Sequence, residues 1–150
     1  MALLMKIALG VEYLGTDFYG WQIQGNGLRT VQGVVELALS KVADHSVRVF
    51  CSGRTDAGVH AKEQVIHFKT DSIRDSNAWL LGGNVNLPSD VNFTWVKEVS
   101  DGFHARFDAY ARLYEYKIHN HPVRSSLKAN YNLWEPRSLD IKKMSKAADF

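Results

Sequence analysis

One cysteine, Cys51, stands in a chain of 150 residues, so no disulfide can form within it and covalent cross-links play no part in its fold. The lone thiol agrees with a reducing compartment. No apolar run approaches the roughly 18 residues that a membrane span needs. The alternating pattern that starts right after Met1–Met5 is unlike a cleavable signal peptide, and the expected compartment is the cytoplasm. There is no long block of like charge, no internal repeat and no low-complexity tract. A formal net charge of +2 excludes a histone-like polycation, so any nucleic-acid partner has to be held by a local patch.

What is present is ordinary globular material, with 45% hydrophobic and 23% charged residues, far from the composition of disorder. A chain of this length buries about 68–70% of its unfolded surface, enough to fold as one unit without a metal. Four Trp, six Tyr and seven Phe offer faces that could stack bases, but aromatics are more often core, and composition alone favours that use.

The apolar periodicity predicts an α+β fold. Ile7, Leu9, Val11 and Tyr13 alternate along a first strand, Met5–Tyr13. Residues 14–28, rich in Gly, Gln and aromatics, read as a long loop, after which Thr30 caps a helix striped by Val31, Val34, Val35, Ala38 and Val42. Strands are predicted over 47–52, 64–70, Val91–Val99 and 111–120, the last with Tyr114, Tyr116 and Ile118 aligned. A short helix is predicted near 75–81 and a turn-rich stretch over 84–88. The order β-α-β-β-α-β-β suits a ferredoxin-like, mostly antiparallel sheet with helices on one face, an arrangement that RNA-recognition modules share. Ile141, Met144 and Ala148 open a further helix after Asp140, without a stop signal before Phe150, which is the expectation for a piece of a longer protein.

The segment Ser52-Gly53-Arg54-Thr55-Asp56-Ala57-Gly58-Val59-His60 puts a carboxylate, a guanidinium and two glycines into one strand-to-strand connection. Gly53 and Gly58 permit a tight turn and close approach to a ligand, and Arg54 could hold Asp56 ionised or grip a phosphate. From spacing alone, an Asx-type turn with a surface ion pair explains the same residues equally well. Three more blocks follow the same order as a known family: Tyr13-Leu14-Gly15-Thr16 leading to Phe18-Tyr19-Gly20-Trp21-Gln22; residues 84–88; and Phe103-His104-Ala105-Arg106-Phe107 running into Arg112-Leu113-Tyr114-Glu115-Tyr116. With the Gly-Arg-Thr-Asp run, the whole chain resembles the N-terminal half of the TruA family of tRNA pseudouridine synthases.

That resemblance implies a pseudouridine synthase fold and isomerisation of uridine to pseudouridine in the tRNA anticodon stem-loop, at positions 38 to 40, without cofactor or metal. It implies that Asp56 is the catalytic residue, that Tyr114 lies against the flipped target base, and that Arg54 pairs with Asp56 and holds the nucleotide's phosphate or sugar. Arg106 and Arg112 also fall on family-motif positions and, with Lys62, Lys69 and Lys117, could line a phosphate-tracking groove. A homodimer is implied too, and no membrane is. Family members resemble a tandem of two similar halves with the active site between them, so the second wall is expected to be missing here and these 150 residues inactive alone. Glu115 departs from the basic residue that some relatives carry there.

Other readings compete. A non-catalytic RNA-binding module would use the same fold, yet has no need for a carboxylate that repels phosphate. His119 and His121 suggest a metal-dependent nuclease, but no acidic or Cys partner stands at recognisable spacing. Cys51, in an alternating strand, reads as a buried structural thiol, and His60 as a residue that orders the signature loop rather than acting on a substrate.

Overall fold

A computed structural model describes residues 4–149. The chain divides into two compact units, one ending at Arg112 and the other beginning at Leu113, where length alone suggests one.

The first unit is built on a four-stranded sheet with strands β1 (Met5–Tyr13), β2 (Phe50–Cys51), β3 (Ala61–Thr70) and β4 (Val91–Val99), in the order β2-β3-β1-β4 with every neighbour antiparallel. The period-2 pattern sets the register, because a slip of one residue would turn the apolar row to water. Ile7 lies opposite Phe68 and Leu9 opposite Ile66, and these side chains, with Val11 and Phe93, form one buried face. Each such side chain, removed from water, contributes about 1.5–3 kcal/mol. Helix α1 (Val31–Ala43) lays Val31, Val35, Ala38 and Leu39 in the core. Its first turn is capped as predicted: Gly33 N–H donates to Thr30 Oγ1 (3.3 Å).

The helix predicted over 75–81 forms over 76–85, running four residues further toward the C-terminus than expected. Asp75 Oδ1 accepts from Ala78 N–H (2.7 Å), a π-helical turn spans Ala78–Gly82, and a single α-turn, α2 (Gly83–Val85), follows. The wider turn lodges Trp79 in the core, edge-on to Phe68 at 5.2 Å.

The opposite face of the sheet carries Lys6, His67 and Lys69 and is partly covered by the connection after β4. There Ala105 N–H donates to His67 Nδ1 (3.1 Å), and Lys6 Nζ donates to the carbonyls of Asp101 and Phe103. Burial of His67, with His104, Lys6 and Lys69 nearby, pushes its pKa from 6.5 down to about 4. The folded protein therefore holds His67 neutral. As pH falls from about 6.5 to about 4 the unfolded chain takes up this proton first, so stability falls across that window. His67→Asn keeps an acceptor for Ala105 but cannot be charged. Urea unfolding at pH 7 and pH 4.5 should show the native chain losing roughly 2 kcal/mol more than this variant, a figure discounted for water beside the ring. Equal losses would place the acid sensitivity elsewhere.

The second unit holds β5 (Ile118–Asn120) and β6 (Leu133–Glu135), paired in parallel, and helix α3 (Ile141–Ala148). Asp140 Oδ1 caps α3 by accepting from Lys143 N–H (3.0 Å). The strand predicted over 111–120 is thus shortened to its last three residues, and Tyr114 and Tyr116 are exposed. An alternating pattern becomes a strand only where a ladder partner meets it, and residues 111–116 pair with no other strand among the described residues. Strand β6 was not expected from the sequence.

Candidate active site

The connection between β2 and β3 is irregular in shape but closely tied. Gln64, buried on β3, donates through Nε2 to Gly53 O and accepts from Ser52 Oγ. Thr55 O accepts from Trp21 N–H (3.0 Å), and the hydroxyls of Thr55 and Tyr13 are hydrogen-bonded (2.8 Å). A turn closes from Asp56 O to Val59 N–H (3.2 Å), with Gly58 at φ +80° donating its N–H to Phe18 O (3.2 Å). Gly15 N–H then donates to His60 Nδ1 (2.9 Å), so His60 orders the loop, as expected.

Two glycines of the long loop make this contact possible. A Cβ on Gly15 would stand 2.0 Å from Val59 O, and one on Gly20, whose φ is +82°, would stand 2.7 Å from Thr55 O. Only bare backbone fits there. The supporting segment is itself anchored: Phe18 and Trp21 are buried, and Arg29 lies 3.9 Å over the Phe18 ring and forms a two-pronged ion pair with Asp90 (2.8 Å each). That pair holds the Asp90 carboxyl below the usual carboxylate range.

What this frame leaves unengaged is Arg54 and Asp56. Both are exposed, and among the described residues neither enters an ion pair. The expected Arg54–Asp56 pair is therefore not formed. The loop takes its shape from backbone and neighbouring polar groups and needs no ion pair to hold it. A carboxylate so placed can accept a proton or attack an electrophile without first breaking a protein contact.

Arg112 is committed to structure: its guanidinium donates to Ser52 O (2.9 and 2.6 Å) and Arg106 O (3.2 Å), tying the end of the first unit to the start of the Asp56 loop. Arg106 is exposed, 5.8 Å from the Phe107 ring centre. Tyr114 belongs to the second unit, where it is exposed, as is Lys117, which pairs with Glu115 (3.5 Å). Lys69 lies with Lys6 on the sheet, paired with Asp101 (2.6 Å). Cys51 is half-buried and burial pushes its thiol up, consistent with an inert structural role. The His119 and His121 rings stack at 5.5 Å, and His121 Nδ1 accepts from Val123 N–H (3.0 Å). No group of three or more metal-ligating side chains converges among the described residues, and no helix among them is long and apolar enough to cross a membrane.

Sequence reasoning missed Gln64, Tyr13 and Thr55 as supports of the loop. Gly15 and Gly20 were the available signal, since paired glycines in an aromatic loop mark close backbone approach.

Fold and loop together define an α+β protein that presents an unpaired carboxylate on a braced connection between antiparallel strands. Residues 10–108 match the family described as tRNA pseudouridine synthase. The chain is 53% identical over 147 residues to tRNA pseudouridine synthase A of Alcanivorax borkumensis, covering 98% of this chain and 55% of that protein. It is 54% identical over 146 residues to the Methylococcus capsulatus protein of that name (97% and 54%) and 48% identical over 147 residues to that of Coxiella burnetii (98% and 56%). The chain belongs to the tRNA pseudouridine synthase family. It spans about half the length of the curated relatives it matches.

Proposed function

We propose that this chain is the N-terminal, carboxylate-bearing half of a tRNA pseudouridine synthase of ferredoxin-like fold, acting on uridine in the anticodon stem-loop. The observation that carries the reading is the exposed, unpaired Asp56 on a loop braced from Gly53 to His60. Isomerisation breaks the C1′–N1 bond of uridine, turns the uracil and joins C5 to C1′, so nothing is added and nothing leaves. Asp56 serves as the nucleophile or base that this needs beside the nucleotide.

A uridine inside a stacked stem has to be extruded first, at a cost of a few kcal/mol. On this reading Tyr114 stacks against the extruded base and Arg54 meets its phosphate, while Arg106 supplies further positive charge near the backbone. Arg112 acts by bracing Ser52. The whole protein works as a homodimer in the cytoplasm, without cofactor or metal, and its second half closes the cleft over Asp56.

A cleft enzyme with one wall missing lacks water exclusion and orientation. Mass-spectrometric detection of pseudouridine in unmodified tRNA should accordingly find conversion by a chain extended to its relatives' length and little or none by these 150 residues. No conversion by the extended chain would defeat the proposal.

A further inference from the structure

The alternation that sends Val47, Val49 and Cys51 toward the core turns Ser46, Arg48 and Phe50 to the other face of the sheet edge. The register sets Phe50 against His67, and Lys69 and Lys6 continue the same face across β3 and β1. With His104 these residues line an open depression of 430 Å³. It extends away from the start of the Asp56 loop: Phe50 lies two residues before Ser52, while His67 stands six residues along β3 from Ala61, about 20 Å at the rise of a strand.

Its charge is unbalanced. Lys6 and Lys69 share one carboxylate, Asp101, which is itself largely exposed. Arg48 is exposed and makes no ion pair among the described residues. Asp108, the other acid near His67, accepts from His104 N–H (2.8 Å) and keeps its negative charge. Lys6, Lys69 and Arg48 therefore face two carboxylates, Asp101 and Asp108, and the surplus of one positive charge favours an anionic ligand. Phe50 narrows the class further: half its surface is exposed, and the ring stacks on His67 at 5.2 Å with 20° between planes. A bare oxyanion has no use for an exposed aromatic face, whereas a nucleotide fills both features, its base on the ring and its phosphate among the cations.

We propose that this depression binds one nucleotide of an RNA strand outside the catalytic loop, with Phe50 stacking the base and Arg48 and Lys69 holding the phosphate. Lys69 can turn from Asp101 to a phosphate because exposed ion pairs are weak. The choice of RNA as the strand rests on the reading proposed above; the anion-plus-aromatic chemistry does not.

The test is binding of a fluorescently labelled anticodon stem-loop by this chain, measured over a salt series beside Arg48→Gln and Phe50→Leu. Arg48→Gln should weaken binding about 3- to 10-fold and reduce the slope of log affinity against log salt by about 1. Phe50→Leu should weaken binding about 5-fold or more with the slope unchanged. Inorganic phosphate and uridine monophosphate, followed by NMR shifts of the His67 and His104 rings, form the other arm. If they bind while both variants leave stem-loop affinity unchanged, the depression is a free-phosphate site and the RNA assignment fails. Unchanged RNA affinity with no phosphate response overturns the site altogether. Weakened binding by these variants beside an extended chain that makes no pseudouridine would keep this site and remove only the enzymatic reading.

Discussion

Asp56→Asn, in a chain extended to the length of its relatives, is expected to lower the rate of pseudouridine formation by at least about 10⁴-fold while changing tRNA affinity by only a few-fold. Asn keeps the size of Asp but has neither its charge nor its capacity to act as nucleophile or base. A factor of 10⁴ corresponds to roughly 5.5 kcal/mol of transition-state stabilisation. The fold should not suffer, because the loop is braced through Gly53, Thr55, Gly58 and His60, and residue 56 contributes only its backbone carbonyl to the turn. Affinity could rise slightly, since a negative charge near phosphates is gone. Single-turnover rates and filter binding on one preparation separate the two effects. A variant that still makes pseudouridine at near the parent rate would reduce Asp56 to a turn residue.

The second large effect is expected at Gly20, which touches no substrate on this reading. Gly20→Ala asks an L-residue to adopt φ +82° and sets a Cβ 2.7 Å from Thr55 O, the carbonyl that accepts from Trp21 N–H. The backbone has to shift, and Thr55 precedes Asp56. A displacement of about 1 Å at a catalytic group is enough for a loss of about 10²-fold in rate, and the strained conformation costs on the order of 1–3 kcal/mol of stability. Gly25→Ala is the control, since nothing lies within 4 Å of that position and its φ is not positive. kcat and thermal midpoint should both fall for Gly20→Ala and stay near parent values for Gly25→Ala. An unchanged kcat in the first variant would mean that the loop accommodates the shift without moving Asp56.

Both effects bear on how far the sequence could be read. Local patterns announced most of the first unit: Ile7, Leu9, Val11 and Tyr13 do face the core, Thr30 does cap α1, and Val91–Val99 is a strand over the residues expected. These features depend on neighbours a few residues apart, so spacing reports them directly. Periodicity failed at 111–116, because a strand exists only if another supplies its hydrogen bonds, whereas the helix expected near 75–81 forms, with a π-turn over Ala78–Gly82 that spacing does not announce.

The Gly-Arg-Thr-Asp run put Asp56 and Arg54 among the candidates, since a carboxylate between glycines on a strand connection is a pattern carried by adjacent residues. Spacing alone suited an Asx-type turn equally well, and only the family resemblance favoured a catalytic role. Which groups hold Asp56 in place was decided only in three dimensions. Tyr13 reaches Thr55 across 42 residues, Gly15 reaches His60 across 45, and Arg112 reaches Ser52 across 60. Arg48, Phe50, His67 and Lys6 likewise meet only because antiparallel pairing lays β1, β3 and the β2 edge side by side. Contacts at such separations depend on the register of the sheet, which the periodicity of single strands constrains to one face but does not choose.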